Sequence, residues 1–322
     1  MPLPTRRSFL SFCATFVFAA SIVLPALRVS AATPPATDAP APPAKPLVAV
    51  LNAYPPEMDA MVKEFGLREG GFTEKRVKGF RYYLGQVEGK DVVVFETGMS
   101  LVNAAMALQL ALERLPITHV LFAGVAGGTD PALHVGDVVI PEKWAYHSEA
   151  AYFNPSADGT GWAKADYFKP RYPNFGMIFP DDVQAIRADR EKFERVAFFP
   201  ADPGLLAVAQ RAVTKLGPIV SAKTGREITV SIGGVGVTGT VFLDNRDYRK
   251  FVREAWGARC ADMESTAYAH VCYTNQIPFL AVRALSDLAG GQDHGELNVI
   301  DANESISSVH AVKVLRAILR EM

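Results

Sequence analysis

The run HVLFAGVAGG, residues 119–128, decides the class of fold. Its first half is a short apolar run, and its second half becomes glycine-rich, as a buried strand does where it enters a loop. LVAVLNA (47–53) and VGDVVIP (135–141) have a similar apolar character on either side of it. Short apolar runs of this kind predict buried strands of a sheet that carries helices on its faces.

Helical stretches alternate with these strands along the chain. NAAMALQLALERL (103–115) has apolar residues at helical spacing and charges on its outer face. A further helix should begin at Pro55-Pro56. The other predicted elements are a hairpin of 81–89 and 91–98, strands at 228–236, 259–262 and 277–284, and helices at 202–215, 245–256, 263–275 and about 302–321. This alternation predicts an α/β fold over residues 47–322.

Two segments do not fit the alternation. Residues 150–200 are rich in Tyr, Phe, Pro, Asn and Gly without clear periodicity, and we interpret them as a long irregular insertion, either a lid or an interface. Residues 32–46, ATPPATDAPAPPAKP, have almost no apolar surface to bury and are interpreted as an Ala/Pro linker.

Residues 1–31 have the features of a twin-arginine export signal. The pair Arg6-Arg7 precedes Phe9-Leu10, an apolar run that ends at Leu27, and a stretch of small residues. A Sec signal or an uncleaved membrane anchor is the alternative. The segment holds three arginines and no acidic residue, so its removal changes the net charge from −1 to −4. We expect an exported, periplasmic protein that leaves the membrane once the signal is cleaved.

Composition argues against several classes of function. The net charge of −1 and the absence of Lys/Arg clusters interleaved with aromatics disfavour nucleic acid as a partner and favour a small molecule. The histidines lack metal-ligand spacing and Cys260 and Cys272 do not form a CxxC pair, so we predict no metal and two buried thiols. The chain also lacks a GxSxG elbow and a Walker-type loop.

Two segments carry a resemblance to a known family. VLFAGVAGGTDPALHVGDVVIP (120–141) and the stretch from ADMESTAYAHVC to SDLA (261–289) resemble the purine nucleoside phosphorylase/uridine phosphorylase superfamily, most closely the methylthioadenosine/S-adenosylhomocysteine nucleosidases. The resemblance runs from about Leu47 to Met322, apart from the insertion. It implies a single three-layer α/β/α domain with a central mixed, partly barrel-like sheet. It also implies a purine nucleoside as ligand, no cofactor, and a homo-oligomer, with a dimer considered first.

Two carboxylates are the candidate catalytic groups. Asp287 is expected in a turn after the apolar strand FLAVRAL, and a purine leaves more readily when a general acid protonates N7. Glu57 is expected in the first turn of the first helix, where a carboxylate can activate water on the opposite face of the sugar. The resemblance implies these two roles and assigns Ser286 to orient Asp287.

Five further residues are candidates for substrate binding. Glu264 is expected one turn into a helix, where its carboxylate can accept hydrogen bonds from two vicinal ribose hydroxyls. The resemblance implies this role, with Met263 packed on the sugar and Thr97 in a loop that holds ribose and water. A flat apolar ring suits a purine face, and the resemblance places Phe242 there with the backbone of Leu243 at the base edge.

These residues together predict hydrolysis of the N-glycosidic bond of a purine nucleoside, with adenosine-type thioethers first among the substrates. The alternatives are a phosphate-dependent phosphorylase that uses Arg81 or Arg283, and a nucleoside-binding protein without catalysis. The strand VVVFE and the loop FAGVAGG contain no arginine, which favours water over phosphate as nucleophile. Ser100 and Gly290 depart from the family pattern, in which glycine and aspartate are expected.

Overall fold

The computed structural model describes residues 45–292 and 300–322, with only the backbone described for 300–304. Helices α1 to α6 span Pro55–Phe65, Leu101–Arg114, Pro203–Lys215, Arg246–Trp256, Ser265–Asn275 and Ile300–Glu321. Strands β1 to β16 span Leu47–Asn52, Thr73–Val77, Phe80–Val87, Lys90–Glu96, Ile117–Gly128, Val138–Ile140, Lys143–Tyr146, Ala150–Tyr152, Ile178–Pro180, Val183–Ala185, Glu194–Val196, Phe199–Pro200, Val230–Ile232, Val235–Thr238, Ala258–Asp262 and Phe279–Asp287. None of the helices in these described ranges is both long enough and apolar enough to cross a membrane. The predicted export signal and nearly all of the predicted linker lie outside the described residues.

A mixed sheet of twelve strands organises the domain, and β5 lies at its centre. β5 pairs in parallel with β1 and β16, and its last two residues pair antiparallel with β15. From β5 one path leads through β1, β4 and β3 to β2, a second through β15, β14 and β7 to β12, and a third through β16 and β6 to β13. Among the described strands no pairing joins the outer ends of these paths, so the sheet branches but is not a closed barrel.

Strand β1 illustrates why the domain has three layers. Val48 and Val50 pack with α1, α3 and α6 on one side of the sheet, while Ala49 and Leu51 pack with α2 and α5 on the other. Side chains of a strand alternate between the two faces, and a strand covered on both faces is apolar at nearly every position. All six residues of β1 are buried, which accounts for the apolar run 47–51 that precedes its last residue, Asn52.

Strands β13, β14 and β2 show how local chemistry makes the structure differ from the sequence prediction. The strand predicted at 228–236 is divided into β13 and β14 by Gly233 and Gly234, whose φ angles of 105° and 77° break the extended backbone. Strand β2 was not predicted, since its sequence TEKRV is polar and almost entirely exposed at the edge of the sheet.

The 150–200 segment contains more regular structure than expected. β8 pairs with β9 and β10 with β11, and β12 extends the main sheet beside β7. Phe153, Trp162 and Phe168 each pack edge-on against the buried ring of Phe179, with ring centroids 5.2, 5.8 and 6.3 Å from it. The insertion therefore has a small aromatic core of its own.

Candidate active site

A cavity lies beyond the last residues of β1, β14, β15 and β16, beside the glycine-rich end of β5. Open α/β sheets bind their ligands at such strand ends. Seven of the eight predicted site residues line this cavity, namely Glu57, Phe242, Leu243, Met263, Glu264, Ser286 and Asp287.

Thr97 is the predicted residue that does not line this cavity. Its hydroxyl is buried and hydrogen-bonds with the hydroxyl of Tyr268 on α5, and it also lies 3.0 Å from the carbonyl oxygen of Gly98. A hydroxyl engaged in this way ties the loop before α2 to α5. The predicted contact between Thr97 and ribose stays a prediction, since this residue is not among those that line the cavity.

Glu57 lies in the first turn of α1, and two backbone amides from outside the helix hold its carboxylate. The N–H of Ala53 donates to its Oε2 at 2.7 Å and the N–H of Val125 donates to its Oε1 at 2.8 Å. Burial raises the pKa of Glu57 to about 7, against the opposing effects of Arg283 and these two amides. Gly124 makes room for this arrangement, because a Cβ at that position would lie 2.1 Å from Oε1.

Arg283 is a fully buried cation in the floor of the cavity, surrounded by three carboxylates. Its guanidinium nitrogens lie 3.2 Å from Asp262, 3.7 Å from Glu264 and 4.0 Å from Glu57, and one of them donates to the carbonyl oxygen of Val125. Burial works against its charge, but the three carboxylates outweigh burial, so the pKa of Arg283 lies above its ordinary value. One guanidinium cannot neutralise three ionised carboxylates, which favours protonation of Glu57 and Glu264, the two whose pKa values are raised.

The sequence suggested Arg283 only as a phosphate ligand and missed its role among these carboxylates. The signal was present in FLAVRAL, where one cation interrupts a strand that is otherwise apolar. A charged side chain in a strand covered on both faces needs buried partners of opposite charge.

Glu264 occupies the cap position before α5 rather than a place one turn into that helix. Its Oε1 accepts a hydrogen bond from the backbone N–H of Ser100 at 2.8 Å. Burial, followed by repulsion from Asp262, raises the pKa of Glu264 to about 8. Ser100 reaches it through φ 79° and ψ 163°, a conformation that glycine adopts readily and serine does not. The family's expected glycine at position 100 thus has a conformational reason.

Asp262 is engaged by its neighbours and fixes the start of α5. Its Oδ1 accepts a hydrogen bond from the Thr238 hydroxyl at 2.6 Å and lies 3.2 Å from the N–H of Ser265, whose hydroxyl donates to Oδ2. Because the same carboxylate pairs with Arg283, Asp262 links β14, α5 and β16 below the cavity.

Asp287 is the last residue of β16, not part of a turn after it as expected. Its Oδ2 accepts a hydrogen bond from the Ser286 hydroxyl at 2.9 Å, and its Oδ1 accepts one from the N–H of Ala289 at 2.7 Å. The pairing of β16 with β5 shifts register between Leu285 and Asp287, the point at which the strand reaches the cavity. Two local donors thus fix the orientation of this carboxylate.

The outer part of the cavity is apolar and exposed. Phe242 is 57% exposed, and Val241 and Met99 are exposed beside the same opening, which Tyr54 also lines. An exposed aromatic ring at the mouth of a cavity is available to stack on a flat ligand. Tyr54 and Met99 were not predicted, because their local sequence has no distinctive pattern and the resemblance, unlike for Phe242 and Met263, implied no role for them.

Gly290 explains the second departure from the family pattern. It has φ 86°, and a Cβ there would lie 2.5 Å from the backbone nitrogen of Asn245. The loop that follows Asp287 therefore lies directly on the loop that follows Leu243. A side chain at position 290 would force these two loops apart.

Comparison with known proteins places this geometry in a family. Residues 47–320 match the model of the phosphorylase superfamily. The chain belongs to this superfamily. The 5′-methylthioadenosine/S-adenosylhomocysteine nucleosidase of Marinomonas sp. (strain MWYL1) is 31% identical over 235 residues, which make up 72% of this chain and 84% of that protein. The resemblance predicted from the two sequence segments is thereby confirmed.

Two solved structures have the same fold. The 5′-methylthioadenosine/S-adenosylhomocysteine nucleosidase of Neisseria meningitidis, in complex with methylthio-immucillin-A, is 23% identical with a TM-score of 0.62 and covers 86% of this chain and 99% of its own. The futalosine hydrolase of Helicobacter pylori is 19% identical with a TM-score of 0.62 and covers 85% of this chain and 97% of its own. The predicted α/β class with a mixed central sheet is confirmed.

Proposed function

We propose that this chain is an N-glycosyl hydrolase that releases the free base from a purine nucleoside, with methylthioadenosine and S-adenosylhomocysteine first among its substrates. The observation that carries the proposal is the setting of Glu57. It is a buried carboxylate at the cavity, oriented by two amides, with a pKa of about 7 that suits a general base at neutral pH. The identity of 31% to a protein named for these two substrates supports the same activity.

The reaction would begin at the base. Asp287, oriented by Ser286, donates a proton to N7, which makes the purine a better leaving group. As the glycosidic bond breaks, the sugar carbon gains oxocarbenium character, which nearby carboxylates stabilise. Glu57 takes a proton from water as the water attacks that carbon. The products are a free purine and a ribose derivative.

Ribose would be held from below and the base from its face. The carboxylate of Glu264 can accept hydrogen bonds from the 2′ and 3′ hydroxyls, because the Ser100 amide fixes one oxygen at the cavity wall. Met263 packs on the sugar, Phe242 stacks on the purine, and the backbone of Leu243 faces its edge. No step of this scheme calls for a cofactor.

Charge favours water over phosphate as the nucleophile. Among the described residues that line the cavity, Arg283 is the one cation, and three carboxylates surround it. A phosphate dianion would have to compete with these three carboxylates for the one guanidinium. Arg81, the other candidate phosphate ligand, lies outside this lining, with its side chain 3.4 Å from Glu74 and hydrogen-bonded to Tyr83.

Release of free base from methylthioadenosine, measured with and without added phosphate, tests the proposal. We expect equal rates in both conditions, whereas release that requires phosphate would establish a phosphorylase. Asp287→Asn should lower kcat by about 10³-fold while the protein still binds nucleoside. A parent protein that binds nucleosides but turns none over would establish the non-catalytic alternative.

Export and self-association complete the proposal. We infer export through the twin-arginine pathway from Arg6-Arg7, and a lysine substitution of both arginines should retain a reporter fusion in the cytoplasm.

We infer a homodimer from exposed apolar residues at the beginning of α2, where Val102 is 74% exposed close to Met99 at the cavity mouth. Light scattering, which measures the molecular mass in solution, tests this inference. The parent should have the mass of a dimer and Val102→Glu that of a monomer, because the charge would lie in the interface.

A further inference from the structure

Phe242 lies in the connection between β14 and α4. Residues 239–247, which comprise this connection and the first two residues of α4, are called here the base loop. The side chains of Thr240, Val241 and Phe242 are all exposed. Stacking on a purine needs a fixed ring, because disorder in the loop would be lost on binding and would weaken affinity. The position of Phe242 therefore depends on how the two ends of the base loop are held.

His147 holds the first end. Its side chain is buried, and its ring lies so close to Gly239 that a Cβ there would be 2.5 Å from Nε2 and 2.6 Å from Cε1. The N–H of His147 also donates to the carbonyl oxygen of Thr238 at 3.0 Å. The ring thus occupies the space that a side chain at position 239 would take, and it fixes the backbone where the loop leaves β14.

Tyr248 holds the second end and contacts the same histidine. It lies in the first turn of α4, where its N–H donates to the side chain of Asn245 at 2.8 Å. Its hydroxyl lies 3.3 Å from both Nδ1 and the carbonyl oxygen of His147. Burial lowers the pKa of His147 to about 4 and raises the pKa of Tyr248 to about 12, so both groups are neutral at pH 7. This contact joins the two ends of the base loop, which is also held between them where Gln292 donates to Asp244 at 3.0 Å.

The insertion packs against the outer side of this contact. Phe175 meets Tyr248 edge-on with ring centroids 5.1 Å apart, and it lies 5.4 Å from Phe251 one turn further along α4. At the far end of the helix Tyr172 packs on Trp256 at 4.7 Å. Among the described residues of the insertion, none lines the cavity of this chain.

We propose that His147 and Tyr248 are positioning residues that clasp the two ends of the base loop, and that the insertion holds this clasp in place from outside. The insertion would then act on nucleoside affinity through α4, and not as a lid over its own cavity. The inference rests on the proposed function, because it takes Phe242 as the ring that stacks on the purine.

Tyr248→Phe is the direct test, since it removes the hydroxyl and keeps the ring against Phe175. We expect faster amide hydrogen exchange in residues 239–247 of the free protein and a KM for methylthioadenosine raised about three- to tenfold, the range for one lost hydrogen bond. The kcat should stay within about twofold, because Glu57 and Asp287 lie on other elements. Tyr172→Phe is the matched control, and it should change neither the exchange nor KM.

Two further variants test the route of the effect. Phe175→Ala should produce the same exchange and KM changes as Tyr248→Phe. In a cycle with Phe242→Ala, adding Tyr248→Phe should raise KM no further, because the clasp acts through that ring. Additive effects on KM, a fall in kcat alone, or unchanged exchange in the base loop would each overturn the proposal. The exchange measurement needs no substrate, so a parent without nucleosidase activity would refute the proposed function and leave the clasp to be judged separately.

Discussion

The floor and the rim of the cavity are built in opposite ways. The floor consists of Glu57, Asp262 and Glu264 around Arg283, all buried and all fixed by contacts to several strands and helices. The rim consists of exposed apolar side chains, of which Phe242 is the largest. Chemistry at an anomeric carbon requires charges in fixed positions, whereas stacking on a base requires a surface that a ligand can reach. Substitutions in the two regions should therefore fail in different ways.

Glu57→Gln should have the largest effect, and it belongs to the floor. It removes the proposed general base, so we expect kcat to fall by about 10²- to 10⁴-fold with KM little changed. Steady-state rates and a direct binding measurement would separate the two parameters. A variant with nearly normal kcat would mean that the floor only supports the fold.

The same substitution should change how stability depends on pH. Burial raises the folded pKa of Glu57 to about 7 from an ordinary 4.5, so the stability that its proton supplies is present below pH 4.5 and lost as pH rises through 7. Glutamine cannot lose a proton. The free energy of unfolding of the variant, relative to the parent, should therefore increase by about 1–3 kcal/mol between pH 5 and pH 8. Urea unfolding at the two pH values measures this difference, and a constant difference would contradict the raised pKa.

The rate itself should follow the ionisation of the floor. The kcat/KM of the parent should rise about tenfold per pH unit up to about pH 7, because Glu57 must be ionised to accept a proton. Glu264 contacts the same buried Arg283, so the rising limb of the pH profile reports the ionisation of Glu57 and Glu264 together. A profile measured at constant ionic strength checks this. A limb centred near pH 4.5 would show that neither carboxylate is shifted in the free enzyme.

Phe242→Ala tests the rim and should have a smaller effect. Loss of base stacking should raise KM about tenfold, since one base stacked on an aromatic ring contributes on the order of 1–3 kcal/mol. The kcat and the Tm should change little, because the side chain is 57% exposed and lies apart from the floor. Phe242→Tyr keeps the flat ring and serves as the control. An equal loss of affinity in both variants would argue against stacking.

Ser100→Gly should have the smallest effect, at the boundary between floor and rim. Relief of the strained backbone is worth about 1–3 kcal/mol, and the greater freedom of unfolded glycine offsets about 1 kcal/mol of it. The net result should be a gain of about 1 kcal/mol in unfolding free energy with activity retained, because the amide that binds Glu264 remains. Lys78→Gly, at φ 48° in an exposed turn, provides the comparison and should gain less.

Much of this architecture could be predicted from the sequence because it depends on period and position. The apolar runs located β1 and β5 to within a few residues. The residues that follow the strands, taken together with the family resemblance, identified seven residues of the cavity. Boundaries were less predictable. Ser286-Asp287 has the composition of a turn, yet pairing with β5 keeps it in β16.

Contacts between distant parts of the chain could not be predicted from the sequence. Thr97 hydrogen-bonds with Tyr268 of α5, which lies 171 residues away in the sequence. The sequence around Thr97 therefore gives no sign of this contact. The place of Thr97 in a loop that holds ribose and water in the resembled family suggested a ligand contact instead. Likewise, the aromatic residues at 150–200 showed no period, because they pack on one another and on α4 and do not form one face of a long element.

The contact of Gly290 with Asn245 limits which residues of its relatives this protein can accept at position 290. Placing aspartate at position 290, as the nucleosidase pattern has it, would drive a side chain into the backbone of a neighbouring loop. We therefore expect a side chain at position 290 to require a different path of the loop at Asn245. A chimera that carries both loops of a relative should fold and work where the single replacement does not.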